Sequence, residues 1–126
     1  MRVIGKKLRG LDGGRVAFFC PGCKTHHQVT VDPAQSGPVW GYNGNPDAPT
    51  FTPSVLRRWI SGDPPVTAEN LDAYKANPWT QKDKENVCHS FVTDGRIQFL
   101  GDCTHVLAGQ TVDLPDLPDL AAEGLA

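Results

Sequence analysis

The feature that most constrains this chain is a set of cysteines and histidines in two short, widely separated segments. The first, "CPGCKTHH", begins at Cys20, and the second, "CHSFVTDGRIQFLGDCTH", begins at Cys88. Together they hold all four cysteines and all four histidines of the chain. A Cys-x-x-Cys turn directs two thiolates at one point, which is typical of zinc sites. The two segments therefore predict a fold that is closed around one metal ion.

Composition limits the fold and the compartment. The chain has 126 residues, 13 Gly, 11 Pro and a net charge of -2. This length suits one domain, and the many turn-forming residues favour β structure. No apolar run approaches the roughly 20 residues that cross a bilayer, and the N-terminus lacks a signal peptide. We expect a cytoplasmic protein without membrane contact, in which thiols or metal ligands are favoured over any of three disulfide pairings.

The second segment is predicted to form a β-hairpin. Asp94-Gly95 stands between two alternating β-prone runs, a pattern typical of a two-residue turn. Thr93 then faces Arg96, Cys88 faces Gly101, and side chains sort by face. The core face is predicted to carry Cys88, Ser90, Val92, Ile97, Phe99, Gly101 and Cys103, joined by His105 if the strand continues. The opposite face carries His89, Phe91, Arg96, Gln98, Leu100 and Asp102.

The candidate metal ligands follow from this geometry. We expect the ion to be Zn²⁺ with a structural role, because it would hold distant elements together in a chain with a small core. Four cysteines are the first choice of ligands, and three cysteines with His105 are the second. The candidate ligands are Cys20, Cys23, Cys88, Cys103 and His105.

Other interpretations of the same residues stay open. The cysteines could be buried free thiols, Cys20 and Cys23 could be a redox pair, or Cys103 with His105 could be a nucleophile and base. His27 is a ligand, a neighbour of the ligands or a turn residue. His89 is expected to be a surface or half-buried histidine. A catalytic zinc would draw on His27, His89, His105 and Asp102.

The predicted fold class is mostly β with one short helix, a small zinc-ribbon-like domain with β-hairpins. Residues 1–115 form a single zinc-binding domain, into which a polar, helix-bearing insertion is placed at 61–86. The helix is expected to begin after Thr67 as its N-cap. Residues 116–126 are too poor in apolar residues to fold alone, which predicts a disordered tail.

Three blocks of the sequence resemble an uncharacterised family of small bacteriophage and prophage proteins. They are "CPGCKTHHQV", "WGYNGNPDAPTFTPSVL" and "CHSFVTDGRIQFLGDCTHVLAGQTVDLP". Some members carry the label ammonia monooxygenase, which the absence of a membrane segment argues against. The resemblance implies a phage-encoded protein of the bacterial host cytoplasm and a shared role for Cys20, Cys23, His27, Cys88, His89, Cys103 and His105.

The function expected from these observations is that of a small zinc-binding phage-type protein with a structural metal, which acts by binding a host or phage macromolecule. A protein partner is favoured. The alternative is a zinc-dependent hydrolase that uses histidines around the metal. Nucleic-acid binding through Arg57, Arg58 and Trp59 is possible but not favoured, since two charges in an acidic protein usually serve only solvation.

Overall fold

The chain folds into two antiparallel β-sheets, which a computed structural model describes for residues 1–118. The first sheet has the strand order β1-β2-β3-β4. Its strands are β1 (Arg2–Val3), β2 (Arg9–Leu11), β3 (Arg15–Cys20) and β4 (Thr25–Thr30). The turn between β3 and β4 is the Cys-Pro-Gly-Cys segment.

The second sheet has the order β5-β6-β7-β8-β9. Two long strands, β6 and β7, make up most of it. Its strands are β5 (Gly41–Tyr42), β6 (Phe51–Asp63), β7 (Lys82–Thr93), β8 (Arg96–Phe99) and β9 (Thr111–Asp113). Because β5 pairs with β6 only at Phe51 and Thr52, the remaining length of β6 has one neighbour, β7.

One core joins the two sheets. The ring of Phe18 on β3 stacks on that of Phe51 on β6, with 6.0 Å between centroids. The predicted fold class, mostly β with one short helix and of zinc-ribbon-like character, is confirmed. The buried cluster consists of Leu8, Val16, Phe18, Cys20, Val29, Phe51, Val55, Cys88, Val92, Ile97, Phe99, Cys103 and Leu114.

The predicted hairpin register is confirmed along β8. Thr93 pairs with Arg96, and the predicted core face is buried from Cys88 to Phe99. The extrapolation that places Gly101 opposite Cys88 is wrong. Strand β8 ends at Phe99, and the chain turns there, with the N–H of Cys103 donating to the carbonyl of Leu100 at 3.2 Å.

The polar segment between β6 and β7 contains the short helix α1 (Leu71–Ala76). Its N-cap is Asn70, not Thr67; the amide oxygen of Asn70 instead accepts the N–H of Thr67 at 2.7 Å. Of the expected tail, residues 119–126 lie outside the described residues. Before them, Asp116 pairs with the ammonium group of Lys7 at 3.0 Å.

The Asp94-Gly95 turn generates a stability prediction. Gly95 has φ of 78°, and a Cβ there would lie 3.1 Å from the Cα of Ala48. Gly37 has φ of 84° with nothing within 4 Å of a Cβ, which makes it a matched control. We expect Gly37→Ala to cost about 1 kcal/mol from backbone strain alone. Gly95→Ala should cost about 1–3 kcal/mol more because of crowding. Urea unfolding measures both, and equal losses would contradict the crowding.

Candidate active site and metal centre

A bulge in β6 sets the position of Ser54. Phe51 pairs with Val92 but Val55 pairs with Ser90, so four steps along β6 match two along β7. Such bulges re-aim side chains and are frequent next to active sites. Beyond the bulge, Leu56 pairs with His89. Side chains two apart on a strand share a face, so Ser54 lies diagonally across from His89.

Ser54, His89 and Asp102 form a chain of hydrogen bonds. The Nε2 atom of His89 lies 2.9 Å from the Oγ of Ser54, and its Nδ1 lies 3.1 Å from the Oδ2 of Asp102. The side chains of His89 and Asp102 are 25% and 49% exposed. With its proton on Nδ1, the ring donates to Asp102 and accepts from the Ser54 hydroxyl. This is the arrangement of a serine protease triad.

A cleft adjoins the Ser54 backbone. The indole N–H of Trp40 donates to the carbonyl of Ser54 at 3.1 Å and so holds the bulge. Trp40 also lines a cavity of about 320 Å³, together with Gln28, Leu56 and Arg57. This cavity separates β4 from the part of β6 that lacks a second strand neighbour. The cavity therefore lies beside the segment of β6 that carries Ser54.

On the opposite face of β7 lies a candidate metal centre, formed by Cys20, Cys23, Cys88 and His105. Their ligand atoms all lie within 4.8 Å of one another, so this cluster can hold a metal ion. The Sγ atoms of Cys20 and Cys88 are 3.8 Å apart. Two sulfurs bound at about 2.3 Å to a tetrahedral zinc are separated by about 3.8 Å. The spacing of this pair therefore fits coordination.

The thiols of the metal centre interact electrostatically. The S–H of Cys88 donates toward the sulfur of Cys20 and, with smaller help from His27, lowers the pKa of Cys20 to about 4. Burial, with the neighbouring Cys20 charge, raises the pKa of Cys23 to about 11. The pKa of Cys88 is raised as well, first by the proton that it donates to Cys20. Without a metal ion, these contacts favour a thiolate only at Cys20. The thiolates of Cys23 and Cys88 would need a bound cation beside them.

His105 completes the centre from the loop after β8. Its Nε2 is buried without a hydrogen-bond partner, which is rare for a buried polar atom and which a metal ion would correct. The ring stands edge-on to Phe99 at 4.5 Å, and the N–H of Leu107 approaches Nδ1 at 3.2 Å. Coordination through Nε2 would require the proton on Nδ1, so we expect the contact with Leu107 to open in the loaded protein.

The structure brings four of the five predicted ligands together. Cys103 is buried but does not belong to the group; its sulfur contacts the backbone of His89 instead. The ligand set with His105 is thus the one that the geometry favours over four cysteines. His27 is buried against Phe18, with ring centroids 5.5 Å apart, and lies outside the group.

The triad was not predicted from the sequence. His89 points away from Cys88, as expected, but the roles considered for it from the sequence involve a metal site and not a serine nucleophile. Two signals were available: His89 and Asp102 fall on one predicted face of the hairpin, and Ser54 follows a Thr-Pro pair in an aromatic segment. Neither signal reveals the bulge that brings Ser54 to His89.

Fold and site together define a β-rich protein with a serine-protease-type triad. The chain belongs to the BubE family, described as the serine protease of a bacterial ubiquitination-like system, whose family model matches residues 4–100. That match includes Ser54 and His89 and ends just before Asp102. No curated protein and no solved structure matches the chain. None of the helices within residues 1–118 is long and apolar enough to cross a membrane.

The family corrects the function expected from the sequence. The expected role of a phage-type protein that acts by binding a macromolecule is wrong, because the family is that of a serine protease, and the alternative of a zinc-dependent hydrolase finds no support. The match gives no support to a phage family. The clustered cysteines and histidines indicate a metal site, whereas His89 of the triad lies on the other face of the strand that carries Cys88.

Gly22 provides a test of the metal centre. A Cβ at Gly22 would lie 2.3 Å from Cε1 of His105, so Gly22→Ala must displace that ring. Gly101→Ala is the matched control, since nothing lies within 4 Å of a Cβ there. We expect Gly22→Ala to lower zinc affinity at least about tenfold and Gly101→Ala to leave it unchanged. Competition titration with a chromophoric chelator measures both, and equal affinities would contradict the placement of His105.

Proposed function

We propose that this protein is a serine protease whose nucleophile is Ser54. The observation that carries the proposal is the continuous contact from Ser54 through His89 to Asp102, at 2.9 and 3.1 Å. Membership in the BubE family supports the same activity independently. Three residues from a bulge, a strand and a loop meet in the order that acyl transfer requires.

The first half of the reaction follows from the hydrogen bonds. Nε2 of His89 removes the Ser54 proton as Oγ attacks the substrate carbonyl, which gives a tetrahedral intermediate. Asp102 keeps Nδ1 protonated and stabilises the positive charge on the ring. Collapse of the intermediate breaks the peptide C–N bond. The leaving amine takes the proton from Nε2, and an ester forms on Ser54.

Water completes the cycle. His89, now neutral, removes a proton from a water molecule that attacks the ester, and then returns that proton to Oγ of Ser54. The acid product leaves and the serine is restored. The side chains of His89 and Asp102 are 25% and 49% exposed, so water can reach them without any movement of the surrounding chain.

The surroundings of the triad support a protein substrate. Leu56 and Phe91 are exposed by 46% and 42%, and both lie on the face of the sheet that carries His89. Such apolar side chains beside a nucleophile suit the side chains of a polypeptide. Membership in a ubiquitination-like system also suggests protein partners. We expect a polypeptide segment to be the substrate, and we expect the enzyme to work in the cytoplasm, where its four cysteines stay out of disulfides.

Replacement of triad residues tests the activity. We expect Ser54→Ala to abolish the acylation burst with p-nitrophenyl acetate, because the nucleophile is lost. Asp102→Asn should slow the reaction by roughly 10⁴-fold, the effect known for a triad whose histidine takes the wrong tautomer. Ser36→Ala, at an exposed serine of a loop, is the control. A burst of wild-type size in Ser54→Ala would contradict the assignment.

We further propose that Zn²⁺ occupies the metal centre as a structural ion. Three sulfurs and one nitrogen are a common zinc ligand set, and four protein ligands leave no open position for water. The ligands come from the β3–β4 turn, from β7 and from the loop after β8. An ion at this point would hold the two sheets together from within the core. A structural zinc can contribute on the order of 10 kcal/mol to such an assembly.

Metal analysis tests this proposal. We expect one zinc per chain, with three sulfurs and one nitrogen in its X-ray absorption spectrum. Cys88→Ser should lose the ion and lower the Tm, because a ligand at the centre of the core is removed. Cys103→Ser should keep the ion, since Cys103 is outside the cluster. A spectrum with four sulfurs would contradict this ligand set.

A further inference from the structure

The loop after β8 stays bonded to β7 through backbone and side-chain hydrogen bonds. Leu100 donates its N–H to the carbonyl of His89 at 2.9 Å, and Thr104 donates its N–H to that of Val87 at 2.9 Å. Between these contacts the β8 ladder has ended. Two consecutive side chains, those of Cys103 and Thr104, supply further partners for the β7 backbone.

Each of these side chains bonds both backbone groups of one β7 residue. The Thr104 hydroxyl accepts the N–H of Val87 at 3.0 Å and donates to its carbonyl at 3.3 Å. The Cys103 thiol does the same for His89, accepting its N–H at 3.2 Å and donating to its carbonyl at 3.2 Å. Cys103 is 8% exposed, so water offers these groups little alternative.

The residue held by Cys103 is the base of the triad. Asp102, immediately before Cys103, bonds the ring of His89 at 3.1 Å. Consecutive residues of one loop therefore fix the backbone and the imidazole of the same histidine. Since the thiol is already engaged at both backbone groups, its sulfur is directed at His89 and away from the metal cluster.

We propose that Cys103 is a positioning residue for His89, an inference that rests on the proposed protease function. Its two hydrogen bonds fix the backbone from which the His89 ring extends to Ser54. Proton transfer needs that ring at hydrogen-bond distance from the nucleophile, and a displacement of about 1 Å can slow catalysis by about 100-fold. Cys103 touches neither substrate nor reacting atoms, so it acts through His89 alone.

The test measures how fast a fluorophosphonate probe modifies Ser54, with probe binding and reaction separated by concentration dependence. Cys103→Ala should slow the reaction step about 10- to 100-fold and leave probe binding unchanged. Cys103→Ser should restore the rate to within about threefold, since a hydroxyl can accept and donate in the same way. Should the alanine variant not fold, Cys103→Val removes the same two bonds while filling the site.

Thr104→Val is the matched control. It removes the same pair of bonds from Val87, which has no place in the triad, and should leave the labelling rate unchanged. Amide hydrogen exchange supplies a readout apart from activity. Exchange should rise at His89 in Cys103→Ala and at Val87 in Thr104→Val. Zinc content should stay at the wild-type level in both variants.

Three results would overturn the role of Cys103. They are wild-type labelling in Cys103→Ala, an equal loss of rate in Thr104→Val, or loss of zinc from Cys103→Ala, which would make the thiol a ligand. Failure of the proposed protease function would give a different result from these three. Folded, metal-loaded wild-type protein would then show no labelling at Ser54, whatever residue stands at 103.

Discussion

The alternation of side chains along β7 is the constraint on which both sites depend. Successive residues of a strand project to opposite faces, so Cys88 enters the core while His89 faces the other way. The loop after β8 repeats this division, with Asp102 at the triad and His105 at the metal centre. A metal ion bound on one face would therefore support the strand and the loop that carry two members of the triad on the other.

In this arrangement, a bound metal ion would have a structural role and no part in the chemistry. The ion would bind in the buried interior, where it joins the cysteine turn of the first sheet to the long strand of the second. His89 and Asp102 of the triad are partly exposed at the surface. The residues of the metal centre and those of the triad are thus neighbours, but no side chain belongs to both sets. Cys103 lies between Asp102 and His105 in the loop. It acts on the triad by holding the backbone of His89.

The sequence predicted those parts of the structure that depend on local pattern. The Asp94-Gly95 pair fixed the hairpin register, alternation assigned Cys88 and His89 to opposite faces, and the cysteine spacing marked the β3–β4 turn. It did not predict what depends on departures from pattern. Ser54 reaches His89 through a bulge that no periodicity encodes. Cys103 was counted as a ligand because β8 was extrapolated past Phe99, where the chain turns.

The central claim is that Ser54 is the nucleophile of a protease that His89 and Asp102 activate. It is tested most directly by mass spectrometry of folded, metal-loaded wild-type protein after reaction with a fluorophosphonate at one equivalent. The account predicts a single phosphonyl adduct, on the peptide that contains Ser54, and none after denaturation before reaction. An adduct on another residue, or no adduct on the folded protein, would contradict it.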